Sequence, residues 1–319
     1  MTHVLITGAQ GFVGAVLVKR LLASGLNSHV VDQVTLMDLA FGQTHPDPRV
    51  VQVAGSIADA SVRAQAFSRR VDAVFHLASV PGGAAEKNYE LGRSVNLDAT
   101  VALLETLSSQ PPVAGLALPH FIFASTVAVY GERLPAVVDE ATLPAPALSY
   151  GAHKLAGEFL VADATRKGWV QGCSLRLPGV VARPGDGAGL MSAFLSQLFW
   201  KLAAGTPITV PVTAQGVAWW ISAKVCVDNL LHAASLSDAQ WNPQRMVQMP
   251  ALRLTMAEVV DGLAARFGAD RQQLVTYAPE PLIERLFARY PPLHTPFAQS
   301  LGFSHDGDVG RLIAHALAA

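Results

Sequence analysis

The chain has 319 residues and a formal net charge of −1, and it is 51% hydrophobic but only 15% charged. This length fits one large α/β domain or a nucleotide-binding domain with a smaller appendage, and a charged share below the roughly one quarter of soluble domains indicates a buried subunit interface. Because the charges are balanced and scattered, nucleic acid and anionic membrane surfaces are excluded as expected partners.

The sequence lacks the marks of export, membrane insertion and metal binding. The most apolar stretch, 113–130, is interrupted by Pro119 and His120 and falls short of the ~20 clean residues that a membrane span needs. The chain starts on an apolar segment instead of a basic, cleavable signal, which favours the cytoplasm. Cys173 and Cys226 lie far apart without neighbouring histidines, so we expect free thiols and no metal site.

Apolar strands alternate with amphipathic helices over the first 180 residues. The predicted strands are 3–7, 30–37, 50–53, 71–77, 121–124 and 173–177. The predicted helices are one from residue 12, then 59–69, 89–107 and 149–166. This alternation predicts the α/β class, as a Rossmann doubly wound parallel sheet.

The alternation weakens after Leu177. An apolar helix over 190–202, a short strand over 208–210 and a proline-rich region over 243–300 indicate a smaller lobe that shapes a pocket. We therefore expect an NAD-binding Rossmann domain over 1–178 and a C-terminal substrate-binding lobe over 179–319. Residues 217–236, which include a predicted helix, are expected to return to the Rossmann core.

The string TGAQGFVG places three glycines, Gly8, Gly11 and Gly14, between the first strand and the first helix. Glycines there allow a tight turn and bring backbone N–H groups close to a pyrophosphate at the helix N-terminus, where the helix dipole favours anions. The same pattern also fits a tight strand–helix turn without a ligand.

Asp38 follows the second predicted strand, 24 residues after Gly14 (38 − 14). This is close to the ~20-residue offset of a carboxylate that binds a ribose diol. A carboxylate would repel a 2′-phosphate, so NAD is favoured over NADP, although an aspartate at a strand end also caps turns.

The string YGAHK places Tyr150 and Lys154 four residues apart, on one face of a helix. Tyrosine, with an ordinary pKa of about 10, is a poor base at neutral pH. A neighbouring ammonium and an oxidised nicotinamide both favour the phenolate and would lower that pKa. Ser125 and Thr126 close the fifth strand, at the edge where α/β sheets bind ligands, and a hydroxyl there can bond the reacting oxygen. Alone, the YxxxK pattern also describes a solvated helix face.

Five segments in order, TGAQGFVG, VFHLAS, FIFASTVAVYG, YGAHK and LRLPGVVARPG, resemble the extended short-chain dehydrogenases/reductases of the NAD-dependent epimerase/dehydratase type. The resemblance covers essentially the whole chain. It implies Tyr150 as proton acceptor, Lys154 as its partner and a ligand of the nicotinamide ribose, and Thr126 or Ser125 as the hydroxyl that positions substrate. Thr126, four residues before Tyr130, matches the family's usual position.

The resemblance implies further cofactor contacts near the glycine turn and the strand ends. These residues are Gln10, Phe12, Val13, Ser56, Ile57, Leu77, Ala78, Ser79, Asn96, Pro178 and Val180. For Asn96 a purely structural role is equally open. The family also implies a homodimer, formed through the helices at 89–107 and 150–166.

Nucleotide-sugar members of this family carry an arginine where this chain has GVAWWIS, residues 216–222. A buried diphosphate without its cation would be costly, which favours a smaller substrate. Trp219 and Trp220 would fill the space of a nucleotide, or equally pack in the core. The run at 183–189, LMSAFLSQLFW and the double tryptophan resemble members that oxidise the 2-hydroxyl of a four-carbon sugar acid. Arg183 is then the candidate partner of the substrate carboxylate, or a loop-stabilising residue.

Two other functions stay open on the sequence. A nucleotide-sugar epimerase or dehydratase would keep NAD tightly bound and show no net cofactor reduction. A non-catalytic dinucleotide-sensing protein is disfavoured by the intact tyrosine, lysine and hydroxyl set. Of the nearby histidines, His76 is expected to pack in the core and His153 to face outward.

Overall fold

The computed structural model describes residues 2–27, 29–111, 117–185, 187 and 190–318. Residues 113–116 of the apolar stretch and 186, 188 and 189 of the proline–glycine run therefore lie outside the described residues. The chain divides into two units. The first unit comprises 1–129, 148–176 and 227–247, and the second comprises 130–147, 177–226 and 248–319.

The strands are, in chain order, β1 (His3–Thr7), β2 (Gln33–Asp38), β3 (Val50–Ala54), β4 (Ala73–His76), β5 (His120–Thr126), β6 (Gln171–Leu177), β7 (Gly179–Val181), β8 (Ile208–Val210), β9 (Val217–Ser222), β10 (Met246–Gln248), β11 (Leu252–Thr255) and β12 (Val275–Tyr277). One seven-stranded sheet has the order β10-β6-β5-β4-β1-β2-β3. The pairs β1–β2, β2–β3, β1–β4 and β4–β5 are parallel. This order is that of the doubly wound Rossmann sheet, and the predicted α/β class is confirmed.

The α-helices are α1 (Phe12–Ser24), α2 (Ala60–Ala66), α3 (Gly82–Lys87), α4 (Tyr89–Arg93), α5 (Ala99–Ser108), α6 (Ser149–Arg166), α7 (Ala193–Ala203), α8 (Ala223–Ala233), α9 (Met256–Phe267), α10 (Pro281–Phe287), α11 (Pro296–Ser300) and α12 (Val309–Leu317). Strands β1 and β4 are buried along their whole length, because a parallel sheet is covered on both faces. The apolar cluster on one face includes Leu5, Leu103, Phe121, Phe123 and Val161.

The predicted helix over 89–107 is interrupted by a π-helical segment, Ser94–Asp98, between α4 and α5. The wider turn contains Asn96, which is fully buried. Both polar atoms of its side chain bond the backbone of Val80. A π-bulge of this kind often marks a functional region of a helix.

The second unit contains a three-stranded sheet, β11-β9-β7, and a two-stranded sheet, β12-β8. Strand β9 runs parallel to β7 and antiparallel to β11. Helices α7, α9 and α12 contribute to one apolar cluster, with Phe199, Trp220, Leu263 and Leu312 among its buried members.

Trp219 and Trp220 are core residues of this second unit. Both are at most 1% exposed. The indole N–H of Trp219 donates to the Pro291 carbonyl at 2.8 Å, and that of Trp220 donates to the Leu254 carbonyl at 3.0 Å. The rings of Trp219 and Tyr290 lie 4.6 Å apart. The packing interpretation therefore fits both residues.

The unit boundaries differ from the expected ones. Strand β9, expected to return to the Rossmann core, lies in the second unit because it pairs with β7 and β11. The segment that rejoins the first unit begins at Val227, inside α8, and ends at Val247, in edge strand β10. Residues 130–147 also belong to the second unit, where the Val138 N–H donates to the Pro292 carbonyl at 3.0 Å.

No helix among the described residues has the length and apolarity to cross a membrane. Cys173 and Cys226 are buried free thiols, and burial raises the pKa of Cys173 to about 12. No group of three or more His, Cys, Asp or Glu side chains in the described part of the chain could hold a metal ion.

Candidate active site at the carboxyl edge of the sheet

The glycine turn between β1 and α1 leaves no room for side chains. Gly8 has a φ of +69°, and a Cβ there would lie 2.7 Å from the Ala78 nitrogen. A Cβ on Gly14 would lie 2.2 Å from the Gly8 carbonyl oxygen. Gly11 stands at the N-cap of α1 and has no side chain that could cap the helix. These features fit a cradle for a pyrophosphate at a helix N-terminus.

Asp38 ends β2 beside this turn. One carboxylate oxygen accepts from the Gln10 N–H at 2.7 Å, and the other accepts from the Leu39 N–H at 2.7 Å. The carboxylate is thus fixed to the glycine turn and keeps further lone pairs for a ribose diol. The guanidinium of Arg49 bonds Asp47 at 2.7 Å and the Leu22 carbonyl at 2.9 Å, so its cation is already engaged.

The loop after β3 contains Ser56 and Ile57, two of the expected cofactor contacts. The Ser56 hydroxyl accepts from the Ala58 N–H at 3.2 Å. The Ile57 side chain is 5% exposed, and its carbonyl accepts from the Arg63 guanidinium at 2.7 Å. The loop is therefore held by its own helix, α2.

The loop after β4 lies directly against the glycine turn. The Leu77 and Ala78 N–H groups both donate to the Thr7 hydroxyl at 3.2 Å. The Val80 N–H donates to the Asn96 side-chain oxygen at 2.7 Å, and the Asn96 amide donates to the Val80 carbonyl at 3.0 Å. Asn96 thus shapes the loop that carries Leu77, Ala78 and Ser79.

Tyr150 and Lys154 share the first turns of α6. The start of that helix is fixed by the Ser149 N–H, which donates to Glu86 at 2.8 Å. Lys154 is 1% exposed, and its Nζ lies 4.6 Å from the Phe123 ring centroid and 5.9 Å from that of Tyr150. Burial lowers the pKa of Lys154 to about 7. Within the described part of the chain, no carboxylate forms an ion pair with this ammonium.

The two hydroxyls at the end of β5 have different partners. Ser125 donates to Glu158 at 2.5 Å, and Glu158 also accepts from Arg176 at 2.9 and 2.7 Å. The Thr126 hydroxyl accepts from the Ala128 N–H at 3.1 Å, which leaves its hydrogen available to donate. Of the two, Thr126 is therefore the better donor to a reacting oxygen.

The two histidines near the site are both buried. His76 is 0% exposed, with its ring 5.8 Å from Phe121 and 5.6 Å from Phe123. Burial, together with the nearby charge of Lys154, holds the pKa of His76 well below its usual value. The prediction that His153 faces outward is wrong, because it is 5% exposed and packs against Tyr89 of α4 at 5.5 Å.

The remaining predicted site residues lie in the second unit. Val180, in β7, is paired with Ile221 of β9. The Arg183 N–H donates to the Ser196 hydroxyl at 2.9 Å, and its carbonyl accepts from the Trp200 indole at 2.9 Å. The backbone of Arg183 is therefore anchored on α7.

Sequence reasoning missed four polar residues around the site: Thr7, Thr100, Glu158 and Arg176. Each is 5% exposed or less. Glu158 follows Lys154 by four residues on the same helix, and Arg176 interrupts an otherwise apolar strand. Two signals in the sequence could have found them. One is a charged residue on the helix face already assigned to the site, and the other is an arginine in a buried strand.

The comparisons with known proteins agree with this fold. Residues 4–248 match the model of a family described as the NAD dependent epimerase/dehydratase family. D-erythronate dehydrogenase of Cupriavidus necator is 36% identical over 98% of this chain and 96% of its own length. D-erythronate dehydrogenase of Haemophilus influenzae is 29% identical over 97% of each chain. A crystal structure described as a nucleoside-diphosphate-sugar epimerase from Agrobacterium tumefaciens is 28% identical, with a TM-score of 0.91 over 98% of this chain and 92% of its own.

Proposed function

We propose that this chain, which belongs to the NAD dependent epimerase/dehydratase family, oxidises the 2-hydroxyl of a small sugar acid, D-erythronate, to 2-oxo-tetronate. The chain is an NAD-dependent oxidoreductase, and its cofactor is NAD. The observation that carries the proposal is Lys154, a buried ammonium one helical turn from Tyr150. The names of two relatives that match nearly the whole chain support the substrate.

The proposed cofactor site is built from backbone groups and a few side chains. The turn from Gly8 to Gly14, with Gln10, Gly11, Phe12 and Val13, would hold the pyrophosphate, and Asp38 would hold the adenosine ribose. The proposed adenine and nicotinamide contacts are Ser56, Ile57, Leu77, Ala78, Ser79, Asn96, Pro178 and Val180. Tyr150 and Lys154 would bind the nicotinamide ribose. Support comes from the crowding at Gly8 and Gly14 and from the fixed carboxylate of Asp38.

The proposed chemistry begins with proton transfer. The ammonium of Lys154 favours the phenolate of Tyr150, and the phenolate takes the proton of the substrate C2 hydroxyl. The Thr126 hydroxyl donates to the same oxygen and stabilises the charge that develops there. As the oxygen loses its proton, the C2–H bond breaks and C2–O becomes a carbonyl. Bound NAD supplies the acceptor for the hydride released from C2.

The proposed substrate is small and anionic. The stretch 216–222 lacks the arginine that would pair with a diphosphate, and an unpaired buried diphosphate would be costly. We propose Arg183 as the partner of the substrate carboxylate. Arg183→Ala should then raise the KM for the hydroxy acid and leave NAD affinity unchanged.

A homodimer is the proposed assembly. Three large apolar side chains on α4 and α6, Tyr89, Leu91 and Phe159, are 47–69% exposed, and such a face is typical of an interface. Light scattering should give twice the chain mass, and Phe159→Glu should give a monomer.

We also propose that the protein acts in the cytoplasm, which the buried free thiols support.

A second candidate function is a nucleotide-sugar epimerase, favoured by the name of the 28% identical structure. One assay separates the two functions. The purified chain is incubated with four- to six-carbon aldonic acids or with nucleotide sugars, each with NAD or NADP, and reduced cofactor and products are measured. We expect NADH to form fastest with D-erythronate and NAD. Isomerisation of a nucleotide sugar without net NADH would overturn the dehydrogenase proposal.

A further inference from the structure

His76 is the centre of a buried polar chain that connects both loops of the proposed cofactor cradle. Its Nδ1 lies 2.7 Å from the Thr7 hydroxyl, and its Nε2 lies 2.9 Å from the Thr100 hydroxyl. The Thr100 hydroxyl donates to the Asn96 carbonyl at 3.1 Å. We call Thr7, His76, Thr100 and Asn96 the polar chain. All four are 0% exposed.

The donors and acceptors of the polar chain fix the protonation of His76. The Thr7 hydroxyl already accepts two backbone N–H groups, so its own hydrogen points to Nδ1. The Thr100 hydroxyl gives its hydrogen to the Asn96 carbonyl, so it must accept from Nε2. His76 is therefore neutral, with its proton on Nε2, and every donor in the polar chain has an acceptor. The lowered pKa of His76 agrees with this form.

The two ends of the polar chain reach the two loops that meet at the cradle. Thr7 directly precedes Gly8 and holds the N–H groups of Leu77 and Ala78. Asn96, at the other end, holds both backbone groups of Val80. A side chain on Gly8 would collide with Ala78, so no packed side chain separates the two loops there. They are joined by these bonds and by the Leu77 N–H, which also donates to the Thr7 carbonyl at 3.2 Å.

We propose that His76 is a positioning residue for the cofactor: through Thr7, Thr100 and Asn96 it holds the Leu77–Val80 loop against the glycine turn. This inference rests on the proposed function, because it assigns the cradle to NAD. His76 makes no proton transfer in it. Its role is to keep the loop in the one arrangement that leaves the turn open to the pyrophosphate and the loop close to the nicotinamide end.

Thr100→Val tests the role without altering the cradle itself, because Thr100 lies on α5. Valine keeps the shape of the side chain but leaves the His76 Nε2–H without an acceptor. Thr106→Val is the matched control, since the Thr106 hydroxyl, on the same helix, bonds only its own helix at the Ala102 carbonyl, at 2.7 Å.

Two readouts are needed, NAD affinity by calorimetry and hydrogen exchange of the chain without cofactor. We expect Thr100→Val to weaken NAD binding about tenfold, as one unpaired buried donor would. We also expect faster exchange at residues 77–80 and unchanged exchange in β5. Thr106→Val should change neither readout.

Wild-type NAD affinity in Thr100→Val would overturn the positioning role. If the wild-type chain itself bound no NAD, the proposed function would fail instead. Hydrogen exchange at residues 77–80 would then still test whether the polar chain holds this loop. Unchanged protection in Thr100→Val would show that it does not.

Discussion

Two neighbouring turns of α6 carry buried charged side chains, of which one has a partner of opposite charge and the other has none among the described residues. Glu158 accepts two bonds from Arg176 and one from Ser125, so its charge is fully compensated. Lys154, one turn earlier, faces aromatic rings, and burial lowers its pKa to about 7. A compensated buried charge fixes the position of the helix. An uncompensated buried charge destabilises the fold, and such charges are typical of catalytic sites.

The largest expected effect on stability is at Glu158. Glu158→Gln removes a charge and leaves Arg176 buried without its anion, which should cost roughly 3–5 kcal/mol of unfolding free energy. Denaturant unfolding measures this. Asp163→Asn, at an exposed ion pair on the same helix, is the control and should leave the midpoint nearly unchanged. An equal effect of the two substitutions would mean that the buried pair does not fix α6.

The opposite result is expected at Lys154. Lys154→Met removes a desolvated ammonium and should raise the unfolding free energy by roughly 2–4 kcal/mol near pH 6.5. The same change should reduce turnover by at least about a hundredfold. Such a gain of stability with loss of activity is typical of catalytic groups. A destabilised Lys154→Met variant would refute the view that this charge is uncompensated.

The stability gain of Lys154→Met should depend on pH. The folded chain binds fewer protons at this lysine than the unfolded chain between pH 7 and the ordinary lysine pKa of about 10.5, so wild-type stability rises with pH across that window. Below pH 7 both states are protonated and the full penalty is present. The difference between Lys154→Met and wild type should therefore shrink by about 3 kcal/mol from pH 6.5 to 9.5. A constant difference would contradict the lowered pKa.

The smallest effect should separate the two hydroxyls of β5. Thr126→Val removes the available donor and should lower kcat at least about tenfold without weakening NAD binding. Ser125→Ala removes a donor to the charged pair and should mainly lower the unfolding free energy, by about 1–2 kcal/mol. Turnover and unfolding measured on both variants check this division. Loss of turnover in Ser125→Ala alone would reverse the assignment.

The sequence was sufficient to predict those features of the site that depend on a local pattern of residues. The glycine spacing, Asp38 at its strand end and the shared face of Tyr150 and Lys154 were all predicted, because each depends on neighbouring residues. The roles of Ser125 and Thr126 stayed open, since the difference comes from Glu158 and Arg176, 33 and 51 residues beyond Ser125 (158 − 125 and 176 − 125). His153 was placed wrongly for the same reason, because the helix that covers it is distant in sequence.

We propose that Tyr150, beside the uncompensated Lys154, is the base of an NAD-dependent dehydrogenase. The decisive measurement is the turnover of Tyr150→Phe with D-erythronate and NAD, with NAD affinity measured on the same preparation. We expect turnover to fall by at least about a hundredfold with NAD still bound. Wild-type turnover in Tyr150→Phe would contradict it.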